Sequence, residues 1–215
     1  VLSIALALLL NRFYLPFLDT TPQPFTSSIL ALEFAGSLAD VRALFVGHDD
    51  AIDSFHRGHF VDMLFLVAYG AMLFFANHGA WLWHKRRIYL VGAALALLAG
   101  LADCSENLLL MQLQDALQAG GNAPDFSQLR LLVAGKFIAI ALAMVCLLPA
   151  LWPRGVVGKC YAAAVAVAVP ATLLTVSGWF NFASAMLLAT AVAWLSLWVF
   201  MLVITRKMRT HVKAN

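Results

Sequence analysis

Asp103, Glu106 and Asn107 stand at i, i+3 and i+4, one face of a helix, inside an otherwise apolar run. Asp62 and Lys136 are the other charges buried in long apolar stretches. An ionisable group at mid-helix in a bilayer costs about 2.5–3.5 kcal/mol on insertion scales, so it needs a partner or a task. Glu106 and Lys136 lie about seven residues from the outer ends of consecutive antiparallel spans. This places both roughly 10 Å below the outer surface at 1.5 Å per residue. Asp62 lies one turn below the outer end of its own span. His56, His59 and Asp62 recur every third residue, and Tyr69, seven residues on, is placed to hydrogen-bond from below.

Several chemistries suit this set. The plainest is a structural ion pair, Glu106 with Lys136, or Lys136 snorkelling to the interface. The functional reading preferred is an intramembrane enzyme for a lipid-like or small apolar substrate, with Asp62, Asp103, Glu106 and Lys136 as its acid–base catalytic groups and Asn107 and Tyr69 binding substrate. A divalent metal ion would be held by His56 and His59 with Asp62, Asp103 and Glu106, although no H-E-x-x-H motif supports this. A transport reading makes Asp103 or Glu106 a proton or cation carrier. A further reading is a subunit whose polar face meets another membrane protein, as a homo-oligomer or in a larger complex.

The elements that must position these residues follow from hydropathy. Of 215 residues, 63% are hydrophobic and 12% charged, and the mean hydropathy is +0.87. A soluble domain of this size cannot bury so much apolar surface, and a disordered chain needs the opposite composition. The expected fold is all-α, a polytopic integral membrane protein and a single bundle of six transmembrane helices. The spans are about 1–18, 59–83, 88–113, 129–152, 160–177 and 183–204. The first run is followed by Asn11-Arg12-Phe13-Tyr14, with no small-residue cleavage site, so it reads as an uncleaved span. The last two spans meet at a hairpin, Ser177 to Asn181. An amphipathic helix over about 28–46 is expected on the outer side, with Leu30, Phe34, Leu38, Val41 and Phe45 at helical spacing. Gly92, Ala96 and Gly100 continue the acidic face of the third span as a small-residue stripe, which lets another helix approach.

Charge asymmetry orients the chain. Nine of fourteen basic residues, Lys85, Arg86, Arg87, Arg154, Lys159, Arg206, Lys207, Arg209 and Lys213, fall on one side of this arrangement. That side is expected to be cytoplasmic, with both termini inside an inner or cell membrane. Asp19, Glu33, Asp40, Asp49, Asp50, Asp53, Asp115 and Asp125 all fall on the other side. Trp81, Trp83 and Trp152 suit the basic interface and Trp179 the opposite one.

Other functions are excluded on chemistry. The last four spans lack histidine, so bis-His haem has no ligands there. There is no nucleotide-binding loop, no dinucleotide or flavin fingerprint, and no G-x-S-x-G. Cys104, Cys146 and Cys160 have no C-x-x-C spacing. A net charge of +3, spread by topology, does not suit nucleic acid; membrane lipid is the expected partner.

Overall fold

A backbone crossing lipid must satisfy its hydrogen bonds internally, and a helix does so within one segment. In the computed structural model, residues 6, 9, 10, 21–46, 51–119 and 124–214 are described, with side-chain detail for 6, 9, 10, 21–46, 53–118 and 124–202. Regular structure among the described residues is all helical. Helices α1 (Ser28–Glu33) and α2 (Leu38–Phe45) form an outer segment. The bundle consists of α3 (Ala51–His84), α4 (Arg87–Ala119), α5 (Phe126–Leu151), α6 (Gly155–Val176) and α7 (Ala183–Ala214), with a 3-10 turn, Phe180–Phe182, leading into α7. These five bundle helices are long and apolar enough to cross a membrane. The expected first span, 1–18, lies almost wholly outside the described residues; Leu10 is buried in the same core as Leu30 and Leu110.

Consecutive bundle helices pack as neighbours, and α3 also touches α5. Helices α3 and α4 have 34 and 33 residues, about 50 Å each and well beyond a core of roughly 30 Å. They overrun the expected spans at the acidic end, because good helix formers such as Gln112, Gln114 and Gln118 continue the helix past the hydrocarbon boundary. The basic-end turn is only Lys85-Arg86, with Lys85 left-handed at φ 54°. The expected α6–α7 hairpin is present. Ser177 N–H donates to Leu173 and Gly178 N–H to Thr175, and Gly178 takes φ 96°, which a side chain would strain. Asp125 caps α5, accepting from the Ser127 N–H at 2.8 Å and hydroxyl at 2.7 Å. Those bonds hold its carboxyl below the usual range. The cap is therefore intact at neutral pH and is lost as pH falls through that lowered value.

The outer segment is not one helix. The chain breaks at Gly36-Ser37, where the Ser37 hydroxyl accepts from Asp40 N–H and the Asp40 carboxylate accepts from Gly36 N–H. This reciprocal cap starts a new helix and redirects the chain. Both short helices fold over the bundle mouth: Leu30, Leu32, Val41 and Leu44 pack into one core with Phe55, Leu110, Leu129 and Met186. A second core nearer the basic end joins Leu73, Ala99, Met144, Val165 and Ala193. Phe60, Leu64, Val67, Leu101, Leu131 and Leu188 are exposed outward, an apolar belt that lipid, not water, would cover.

The small-residue stripe is half right. A Cβ on Gly92 would run into the Asn77 side chain and come within 2.7 Å of the Cys146 Cβ, but one on Gly100 would meet nothing within 4 Å. Gly92→Leu is expected to destabilise by about 1–3 kcal/mol through overpacking. Gly100→Leu should be near neutral. Thermal unfolding of the two in detergent tests this directly; equal melting would remove the close-approach argument.

Candidate functional site

Antiparallel packing brings α4 and α5 side by side, and their i, i+3 periodicity turns Asp103, Glu106 and Lys136 toward one another. The Lys136 ammonium lies 2.8 and 2.7 Å from the two Glu106 carboxylate oxygens, 3.3 Å from Asp103 Oδ1 and 3.0 Å from Glu33 Oε1. None of the four residues is more than 5% exposed. Lys136 therefore does not snorkel. Its ammonium also lies 4.8 Å from the centre of the Phe137 ring. Phe34 stacks on Phe137 and tilts onto Phe180, so aromatic rings roof the charges beside Glu33.

The network extends in two directions. Below, the Tyr69 hydroxyl donates to Asp103 Oδ2 at 2.6 Å, and Trp194 stacks on the Tyr69 ring at 5.2 Å. Phe65 packs against both rings. Beneath them lies the apolar inner core, with Met72 and Leu73 on the same helix as Tyr69. Above, Asn107 donates to Asp62 Oδ2 at 2.9 Å and to Asp103 Oδ1 at 3.5 Å. Its carbonyl oxygen lies 3.1 Å from His59 Nδ1, and His59 Nε2 lies 3.1 Å from Gln114. One turn higher, His56 Nε2 is 3.3 Å from the exposed Asp115 carboxylate. The polar groups thus form a column. It is closed by aromatic side chains toward the basic end and reaches the acidic surface at His56 and Asp115.

Depth follows from helix rise. Tyr69 and Lys136 are each about 23 Å from the basic ends of their helices, and Asp62 about 33 Å. Measured from the basic end, Tyr69 and Lys136 lie in the acid-rich half of a core roughly 30 Å thick, Asp62 lies at its edge, and His56 lies beyond it.

Asp62, Asp103, Glu106, Asn107, Lys136, Tyr69 and His59 are brought into one connected set. His56 stands apart at the rim. The metal reading finds no support in this arrangement. Among the described residues no three His, Cys, Asp or Glu side chains converge as metal ligands. The physical reason is that Asp103 and Glu106 aim at the Lys136 ammonium, which takes the place of a cation. Both His59 nitrogens are already engaged by amides, and His56 turns to Asp115.

Glu33 is the site residue that sequence reasoning assigned to the outer loop. The signal was present: Glu33 is three residues after Leu30 and adjacent to Phe34, hence on the apolar face of its segment. A carboxylate there requires a buried counter-charge. Gln114 and Asn77, both fully buried, were also passed over. Asn77 donates to the Leu73 and Ala143 carbonyls and joins α3 to α5 away from the cluster.

No family model, no curated protein and no solved structure matches this chain.

Proposed function

We propose that this is a proton-handling membrane protein, a proton- or cation-coupled transporter of a small molecule, whose proton site is the carboxyl cluster around Lys136. The observation that carries the reading is a charge count. One ammonium faces Glu33, Asp103 and Glu106, with Asp62 linked through Asn107. Four carboxylates and one ammonium would leave three negative charges in a region with little water. Negative charges so close together repel one another, and bound protons would relieve that repulsion.

Hydrogen bonding suggests which carboxyls exchange. Asp103 has both oxygens engaged, by Lys136 and Tyr69; Glu106 has Oε1 bonded to Lys136, while its Oε2, 2.7 Å from the same ammonium, is buried without a hydrogen bond. Glu33 has one oxygen bonded and one buried without a partner. Asp62 is half-buried and receives the Asn107 amide. Asp62, the half-buried member, is the entry point for the proton, Glu33 and Glu106, each with one oxygen lacking a hydrogen bond, are its exchange partners, and the column toward His56 and Asp115 is the route to the acidic side. The Tyr69–Trp194 stack closes the route toward the other side, as one state of an alternating-access cycle requires.

The test is infrared difference spectroscopy of the protein in liposomes across a pH step. A pH-responsive carboxylic C=O band is expected, diminished in both Asp62→Asn and Glu33→Gln while the fold is kept. A spectrum without a pH-responsive carboxyl band in the wild type would refute the reading.

A second reading, an intramembrane enzyme for a lipid-like substrate, is favoured by one contact. The 2.6 Å Tyr69–Asp103 bond is an acid–base couple beside a half-buried carboxyl, Asp62. It predicts altered lipid species, by mass spectrometry, after incubation in liposomes, and none with Tyr69→Phe.

A further inference from the structure

At the opposite end of the bundle, α3, α5 and α7 part to leave a cleft of about 280 Å³. Its walls are apolar, from Phe75, Gly79, Leu147, Leu197 and Met201, and its mouth carries Arg154 and His84. Walls of this kind give water few polar partners. An opening of this kind on the lipid side is suited to a hydrocarbon chain.

The mouth supplies the second half of a lipid site. The Arg154 guanidinium lies 5.7 Å from the Trp83 ring centre and 6.0 Å from that of Phe200, held between two aromatics at the edge of the cleft. No carboxylate among the described residues pairs with it; the ion pairs there are at His56 and Lys136. The acids among the described residues lie toward the other end of the bundle. An Arg guanidinium with a free fork and no protein anion is matched by a phosphate, which it binds with two parallel charge-assisted bonds.

We infer that this cleft binds one anionic phospholipid, its phosphate on Arg154 and an acyl chain between α3, α5 and α7. The site lies at the far end of the bundle from the Lys136 cluster and does not depend on how that cluster works. A lipid wedged there would tie α7 to α5 and to α3, and the Trp194–Tyr69 contact between α7 and α3 floors the polar column.

Native mass spectrometry of protein purified from nanodiscs of equal phosphatidylglycerol and phosphatidylcholine content tests the inference. Preferential retention of one phosphatidylglycerol is expected in the wild type. Arg154→Gln should reduce it on the order of tenfold, the loss of one charged hydrogen-bonding partner. Gly79→Leu should reduce it similarly by filling the cleft, since a Cβ at Gly79 meets no atom within 4 Å and the fold has room for it. Arg86→Gln, in the adjoining turn and outside the cleft lining, should retain the lipid. Equal retention of the two lipids, or loss in Arg86→Gln as large as in Arg154→Gln, would overturn the site in favour of diffuse surface attraction. Displacement of the lipid by inorganic phosphate alone would overturn the acyl-chain half of the inference.

Discussion

Lys136→Met is expected to be the most damaging single substitution in this chain. It removes the one cation from contact with Glu33, Asp103 and Glu106. Removing one partner of a buried ion pair costs about 3–5 kcal/mol, because the remaining charge keeps its desolvation penalty. Three carboxyls are stranded here, against a total stability of about 5–15 kcal/mol for a typical domain. The variant should lose its monodisperse peak on size-exclusion chromatography in detergent and melt well below the wild type. The physical cause can be separated from a packing defect. Adding Glu106→Gln to Lys136→Met lowers the stranded charge without restoring the lysine, so it should recover part of the loss. The single variant should also fare better in acid than in mild alkali, because protons then replace the missing ammonium. A Lys136→Met protein that melts with the wild type at every pH would show that the cluster carries neither stability nor a shared charge.

The second large effect is expected at Glu33. Its carboxylate ties α1 to Lys136 at 3.0 Å, and it is 5% exposed although it belongs to the outer segment. Glu33→Lys would set a second ammonium against Lys136 and convert an attraction into a repulsion. A loss of about 3–5 kcal/mol at this contact follows from the same reasoning. It should appear locally, as detachment of α1 and α2 from the bundle mouth. Hydrogen exchange over residues 28–45 should rise by orders of magnitude while exchange in α4 and α5 changes little. Glu33→Gln keeps an oxygen for Lys136 and should leave the segment seated. It would thus separate the anchoring role of Glu33 from its proposed role in proton exchange. Equal protection of the segment in wild type and Glu33→Lys would mean that Leu30, Leu32, Val41 and Leu44 hold it without the ion pair.

Much of the site was legible because membrane chemistry makes charge conspicuous. Asp62, Asp103, Glu106 and Lys136 stood out only because their surroundings are apolar, and helical spacing placed Asp103, Glu106 and Asn107 on one face. Glu33 and Gln114 were not conspicuous in the same way. Glu33 sits in a loop region rich in other acids, and Gln114 near the end of a helix where polar residues are ordinary. Their burial depends on the outer segment folding back over the bundle, a long-range event with no local signature. The metal reading goes unsupported for a related reason. Residue types allow His59, Asp62 and Asp103 to be ligands, but their directions were decided by the amides of Asn107 and Gln114 and by the lysine of a different helix.

The chain's apolar periodicity, its hairpin at Ser177–Gly178 and its one-sided distribution of acids are properties of consecutive residues, set by helix rise and by the cost of charge in lipid. They determine that the chain is a helical membrane bundle and which residues are out of place in it. Whether those residues meet, and what each oxygen bonds, is a property of pairs far apart in sequence. Glu33 and Lys136 are separated by 103 positions, and only packing across several helices brings them within hydrogen-bonding distance. That packing turned isolated expensive charges into one shared site, because in a low-dielectric interior a charge is tolerated only where the fold supplies its partner.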